Sequence, residues 1–262
     1  MPADPRAVES LLAFWAEAGV DAVIQDAPID RLAERRRSAP ARPAAVPQAR
    51  AAPTDAPAAL EDARRLAAGA PDLAALAEAI AGFDGCGLKF EGARQAVFSR
   101  GVADAPVMVI GEGPGADEDA QGAPFVGRAG KLLDRMLAAA GLTERVFITN
   151  TVFWRPPGNR NPTPQEQLVC APFVERAIAL VQPKLLLLAG GASAKALLQR
   201  PEGILTLRGR WFDWTSSDGA MSLPALPTLH PAFLLRQPGA KKRAWADLLM
   251  LTDRLDRHER PA

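Results

Sequence analysis

The stretch that most constrains the fold is Val107 to Asp119, VMVIGEGPGADED. Val107 to Ile110 is a short β-branched apolar run of the kind that forms a buried strand. It breaks into Gly111, Glu112, Gly113, Pro114 and Gly115, a turn in which backbone can approach a ligand closely. The acidic run Asp117, Glu118 and Asp119 follows, and helical spacing begins after Gly127 with Leu132, Leu133, Met136 and Leu137. A strand that ends in a tight loop before a helix is where open α/β sheets place their ligand sites. The loop has no GK[ST] and so is no Walker motif, and Ala116 stands where a GxGxxG fingerprint needs its third glycine. Its carboxylates would repel a phosphate. A nucleotide-phosphate cradle is excluded on both grounds.

Downstream, the same alternation repeats. Strands are predicted over Gln95 to Ser99, Pro106 to Ile110, Val146 to Trp154 and Lys184 to Leu188, the last (KLLLL) having parallel-sheet character. Leu205 to Trp214 reads as a hairpin arm closed by Ser216 to Gly219, and Leu226 to Leu229 as a final strand. Helices are predicted over Arg128 to Ala140, from Thr163-Pro164 to Val181, and from Ala240 to about Leu255, with Pro164 suited to a first turn. RPPGNRNPTP is a loop, because its prolines forbid helix, and AFLLRQPG after His230-Pro231 reads as a short turn. Together these predict an α/β fold, three layers α/β/α around a mostly parallel sheet. Upstream, apolar spacing over residues 8 to 23 predicts a helix, giving a helical segment at 1–26. Residues 27–57, with ERRR and PARPAAVPQARAAP, read as a flexible linker. Further helices cover Ala58 to Ala68 and Leu73 to Phe83, so the main α/β domain is expected at 58–262.

Composition narrows little beyond this. With 31 Lys+Arg against 30 Asp+Glu, net charge does not argue for a polyanionic partner, so any such reading must come from local placement. No apolar run approaches the roughly 20 residues needed to span a bilayer. MPADPRAVES lacks signal-peptide character, and Cys86 and Cys170 make no disulfide framework. The expectation is a soluble, cytoplasmic monomer without a membrane partner.

Parallel strands carry GEGPGADED, Asn150, RPPGNRNP and the His230 loop to one edge of the sheet, where their side chains can converge. GEGPGADED, PFVG (Pro124 to Gly127), TN (Thr149, Asn150), RPPGNRNPTP (Arg155 to Pro164), RGRWF (Arg208 to Phe212) and HPAFLL (His230 to Leu235), in that order, resemble the family 4 uracil-DNA glycosylases from about Phe83 to Leu251.

That resemblance implies hydrolysis of the N-glycosidic bond of deoxyuridine in single- or double-stranded DNA, after the base has been flipped out. It assigns Phe125 to stacking. Asn150 would pair with uracil N3–H and O4, since an amide offers both an acceptor and a donor; on residue type alone it is equally a strand-end amide bonding local backbone. His230 would donate to uracil O2 as charge develops there. Gly111 and Gly113 would line the base pocket with Asp119, and Glu118 would wall off C5 against the thymine methyl. For the water, the best-known glycosylases of this kind carry an Asp where this chain has Gly113. Glu112 and Asn159 are therefore the candidates, and Glu112 could also offset oxocarbenium charge. Leu234, Leu235 and Arg236 would form the loop that wedges into the stack. Lys241 and Lys242 would meet phosphates alongside Arg160; by themselves the two lysines equally suit a solvated helix start.

The family usually carries a [4Fe–4S] cluster on four cysteines. Aligning the motifs puts Phe83, Cys86, Trp154 and Cys170 at those positions, and two thiolates cannot hold a cubane cluster. The expectation is no cofactor and no metal, with aromatic rings in the cluster's volume and neighbouring buried thiols. Two other functions stay open. One is the same fold acting on another deaminated base such as hypoxanthine or xanthine, against which Asn150 argues. The other is a non-catalytic DNA-damage binder.

Overall fold

The computed structural model describes residues 56–259. The predicted helix at 8–23 lies outside the described residues, as does the linker up to residue 55; Ala56 and Pro57 already belong to the first helix.

Six strands form one sheet in the order β1-β3-β2-β4-β6-β5. The four inner strands are parallel: β3 (Val146–Asn150), β2 (Val107–Gly111), β4 (Leu185–Ala189) and β6 (Ser222–Thr228). Both edges are antiparallel, β1 (Ser99–Gly101) on β3 and β5 (Phe212–Thr215) on β6. Because side chains alternate along a strand, each inner strand feeds two cores. Met108, Ile110, Phe147, Leu186, Leu188 and Ala225 face one of them. On that side lie α1 (Ala56–Gly69), α2 (Leu73–Gly82), α5 (Pro164–Val181) and α6 (Gly191–Leu198), which contribute Ala63, Leu76, Ile80, Phe173, Ala177 and Ala194. Val107, Val109, Ile148, Leu185, Leu187 and Leu226 face the other core, against Leu133 and Leu137 of α4 (Arg128–Ala139) and Leu248, Leu251 and Leu255 of α9 (Lys241–Glu259). The three-layer α/β/α arrangement with a mostly parallel sheet is therefore present. None of the described helices is long and apolar enough to cross a membrane.

The start of α5 is legible in detail. Thr163 caps it, its hydroxyl accepting from Glu166 N while Glu166 returns a bond to Thr163 N, with Pro164 in the first turn. Several boundaries differ from expectation. The first strand lies later, at Ser99–Gly101, while Gln95 instead ties its side-chain amide to the carbonyl of Asp119. The strand after Val146 stops at Asn150: Val152, Phe153 and Trp154 are fully buried but outside the sheet. There the apolar pattern signals burial, not pairing. Residues 204–207 form a helical turn, α7 (Ile204–Leu207), and only Phe212–Thr215 pairs as the hairpin arm. β6 begins at Ser222 and runs through Pro224 and Pro227, residues normally kept off inner strands. Two short helices stand where loop was expected, α3 (Ala116–Gln121) and α8 (Pro231–Arg236).

Candidate active site

The C-terminal ends of β2, β3 and β6 open into a cavity of about 410 Å³. Glu112, Gly113, Glu118, Phe125, Asn150, Asn159, Arg160, His230 and Arg236 all line it, so residues from five separate sequence motifs meet there. Register explains the closest pair, because Gly111 of β2 lies directly opposite Asn150 of β3. A β-carbon on Gly111 would stand 2.4 Å from Asn150 Oδ1 and 2.5 Å from the Phe125 ring. Glycine there is a steric requirement for bringing amide and ring together.

Asn150 is 1% exposed and its Oδ1 meets no donor among the described residues. An unpaired buried acceptor costs about 1–3 kcal/mol, so this oxygen is an acceptor that a ligand N–H would satisfy. Phe125 is buried and adopts φ 54°. Its ring centroid lies 5.6 Å from that of His230, tilted by 31°.

His230 follows β6 and caps α8, its Nδ1 accepting from Ala232 N at 3.2 Å. An accepting Nδ1 leaves the ring proton on Nε2 in the neutral tautomer. Burial pushes its pKa down to about 4, helped by the positive charge of Arg236 and opposed by Glu118. The imidazole is thus a neutral donor at neutral pH. Burial raises the Glu112 carboxyl above its ordinary value, and the Glu112 main-chain carbonyl is held by Thr151 Oγ1 at 2.6 Å. Asn159 also has positive φ, 55°, and its Oδ1 accepts from Arg155 Nε at 2.7 Å.

Several expected roles change. Glu118 does line the cavity, but its carboxylate accepts from three backbone amides: Val126 at 3.0 Å, Gly127 at 2.9 Å and Gly115 at 3.1 Å. Those bonds make it an organiser of the turn and hold its carboxyl in a fixed place in the cavity wall. Asp119 is 2% exposed, accepts from Arg94 N at 2.7 Å and lies outside the cavity lining; it ties α3 to the preceding segment. Leu234 is fully buried against Leu229 and Ala244, so it cannot wedge into DNA, whereas the adjacent Leu235 is 38% exposed. Arg160 spends its guanidinium on Glu166, at 2.6 and 2.9 Å, and Glu91 at 3.3 Å, leaving it a weak partner for a phosphate. Arg236, Lys241 and Lys242 are exposed. Sequence reasoning missed Gly130, where a β-carbon would fall 1.7 Å from the Phe125 carbonyl oxygen. The signal was there: a glycine inside an otherwise good helix often marks close backbone approach.

The four positions at which the family's cluster ligands would fall do not fit such a group. Phe83 is fully buried, its ring 6.4 Å from that of Trp154 and 5.1 Å from that of Phe173. Cys86 and Cys170 are unbridged and buried, and each acts on the other's thiol. The neighbouring Cys170 draws Cys86 down, while burial pushes the Cys170 thiol up. Two thiols packed among aromatic rings make a small apolar core. Among the described residues no group of three or more His, Cys, Asp or Glu is placed to hold a metal ion.

The family model of the uracil DNA glycosylase superfamily matches residues 98–249. The chain is 38% identical over 142 residues to a type-4 uracil-DNA glycosylase of Thermotoga maritima, covering 53% of this chain and 71% of that one. It is 39% identical over 155 residues to that of Saccharolobus solfataricus (57% and 71%) and 37% over 185 residues to that of Pyrobaculum aerophilum (68% and 92%). With the family match, these likenesses and a cavity assembled from the same motifs, the chain belongs to the uracil DNA glycosylase superfamily.

Proposed function

We propose that this protein is a DNA-repair hydrolase that excises uracil from DNA and leaves an abasic site. The observation that carries the reading is the unpartnered Asn150 Oδ1 beside the Phe125 ring. A flipped uracil stacked on Phe125 presents N3–H to that oxygen and O4 to the amide nitrogen of the same side chain. As the bond between C1′ and N1 breaks, its electron pair moves into the uracil ring and charge gathers on O2. The Nε2–H of neutral His230 is a preorganised donor for that charge. Water adds to C1′ and loses a proton, giving the abasic sugar. Glu112, an acid made weaker by burial, is the candidate to receive that proton or to face the cationic sugar, with Asn159 as a second positioner of the water.

Binding would rest on Leu235 as wedge and on Arg236, Lys241 and Lys242 as phosphate contacts. Both single- and double-stranded DNA are expected substrates, with a monomer working in the cytoplasm. Two free thiols suit such a reducing compartment.

Contrary to the expectation from sequence, Asn150 alone does not argue against hypoxanthine, which presents the same N–H and carbonyl edge as uracil. The test uses oligonucleotides carrying one uracil, hypoxanthine or thymine, followed by alkali and by chromatography of the released base. Free uracil and an alkali-labile site on the uracil strand are expected. Release of hypoxanthine alone would move the substrate, and tight binding with no base released would make the protein a binder.

A further inference from the structure

The Phe125 ring can serve as a stacking floor only while its backbone stays at φ 54°. Such a conformation costs a non-glycine residue about 1–3 kcal/mol and persists where the surroundings over-determine it. Those surroundings grip both flanks of the residue. On its N-terminal side, Arg100 Nε donates to Pro124 O at 2.7 Å. On its C-terminal side, Arg100 Nη2 donates to Phe125 O at 3.1 Å, while Glu118 Oε1 accepts from Val126 N and Gly127 N. Asp134 of α4 anchors the same Nη2 at 2.6 Å. Gly130 lets that helix come up against the Phe125 carbonyl.

We infer that Arg100 is a positioning residue for base recognition: its fork, set against the Glu118 carboxylate, fixes the Phe125 turn so that the ring stands under the base. The inference rests on the uracil reading above. Arg100 is on the edge strand β1 and does not line the cavity, so it would act through Phe125 alone. The fork is the relevant chemistry. A guanidinium can serve two carbonyls in one plane while holding a carboxylate, whereas an ammonium is a single point of charge.

A displacement of the ring by about 1 Å is enough for a loss on the order of a hundredfold, and Arg100→Ala is expected to lose between ten- and a hundredfold in single-turnover uracil excision. Phe125→Ala is expected to lose at least as much. In the Phe125→Ala background, adding Arg100→Ala should cost nothing further, because coupled residues fail to add. Losses that multiply would overturn the inference, as would an unchanged rate in Arg100→Ala. Arg100→Lys, which keeps the ion pair with Asp134 and hence the fold, should remain impaired; full activity there would show that charge without the fork suffices, and overturn it too. A second readout is independent of activity. In protein labelled with 4-fluorophenylalanine, the Phe125 fluorine resonance, assigned by its loss in Phe125→Leu, should move in Arg100→Ala and stay put in the distant Arg176→Ala. A resonance that does not move overturns the inference whatever the rates are. A wild-type protein that releases no uracil while the resonance still moves would instead sink the functional reading and leave the placement of Phe125 by Arg100 standing.

Discussion

Asn150 Oδ1 lies over the α-carbon of Gly111, so close that a β-carbon there would be 2.4 Å away. The contact follows from the parallel register of β2 and β3, which sets the two residues opposite each other at the last pair of the ladder. A base recognised by Asn150 must therefore slide in above a bare backbone.

Gly111→Ala is accordingly expected to abolish uracil excision, since neither the buried Asn150 nor the Phe125 ring, 2.5 Å from the same point, has room to retreat. DNA binding, which the proposal assigns to the exposed Arg236, Lys241 and Lys242, should persist. Single-turnover excision beside a salt-matched binding isotherm measures both. A Gly111→Ala variant that kept more than a tenth of the wild-type rate would show that the amide and ring can move apart.

The layers and the site edge were readable because both rest on local pattern. VMVIG and KLLLL are apolar on both faces, as a doubly covered sheet requires, and parallel strands send their loops to one side. What could not be read is how each polar group is spent. Leu234 and Leu235 are neighbours of one type, yet one faces the core and the other solvent. Separating them needs the knowledge that HPAFLL is helix, with Pro231 in its first turn, where it had read as turn. Asp119 likewise looked like a pocket acid and proves to bond a backbone amide away from the cavity, whereas Glu118 lines the cavity while bonding backbone amides of its own turn. Arg100 left no signal at all, since its partners are carbonyls 24 and 25 residues away.

The leucine pair can be separated experimentally. Leu235→Ala should lower excision from duplex more than from single-stranded DNA, where there is no stack to fill. Leu234→Ala should instead destabilise the protein by about 2–5 kcal/mol, seen as a lower denaturation midpoint, with equal effects on both substrates. Equal loss on both substrates for Leu235→Ala would remove it from the wedge.

Purified protein is expected to be colourless and iron-free, because the four positions hold Phe83, Cys86, Trp154 and Cys170 and the rings pack against Phe173 and Phe153. Replacing Phe83 and Trp154 by cysteine would complete the four thiols but remove two buried rings, at about 3–5 kcal/mol each. That variant should be poorly folded without iron. A broad visible absorbance band with stoichiometric iron in the natural protein would refute the aromatic filling.

The last prediction concerns His230. Its Nδ1 is occupied by Ala232 N and its pKa lies at about 4, so in the proposed role it would meet uracil O2 as neutral imidazole throughout the physiological range. Its interaction grows as charge develops, and so belongs to the transition state. His230→Ala should lose on the order of a hundredfold or more in single-turnover rate while binding at fixed salt changes little. The rate should show no His230 titration between about pH 5 and 8. If Glu112, which burial raises above its ordinary value, acts in the reaction as proposed, its protonation gives an acid limb that Glu112→Gln should remove. For stability the sign is opposite to that of a salt-bridged histidine. The folded pKa of about 4 lies below the unfolded value of about 6.5, so the unfolded state takes up the proton first. His230 thus leaves stability intact above about pH 6.5 and withdraws it as pH falls toward 4. His230→Asn, which keeps a helix cap without a titrating group, should show a shallower loss of denaturation midpoint than wild type over that window. Parallel curves for the two proteins would mean that His230 titrates as it does in the unfolded chain, and that the imidazole is not held in the site as described.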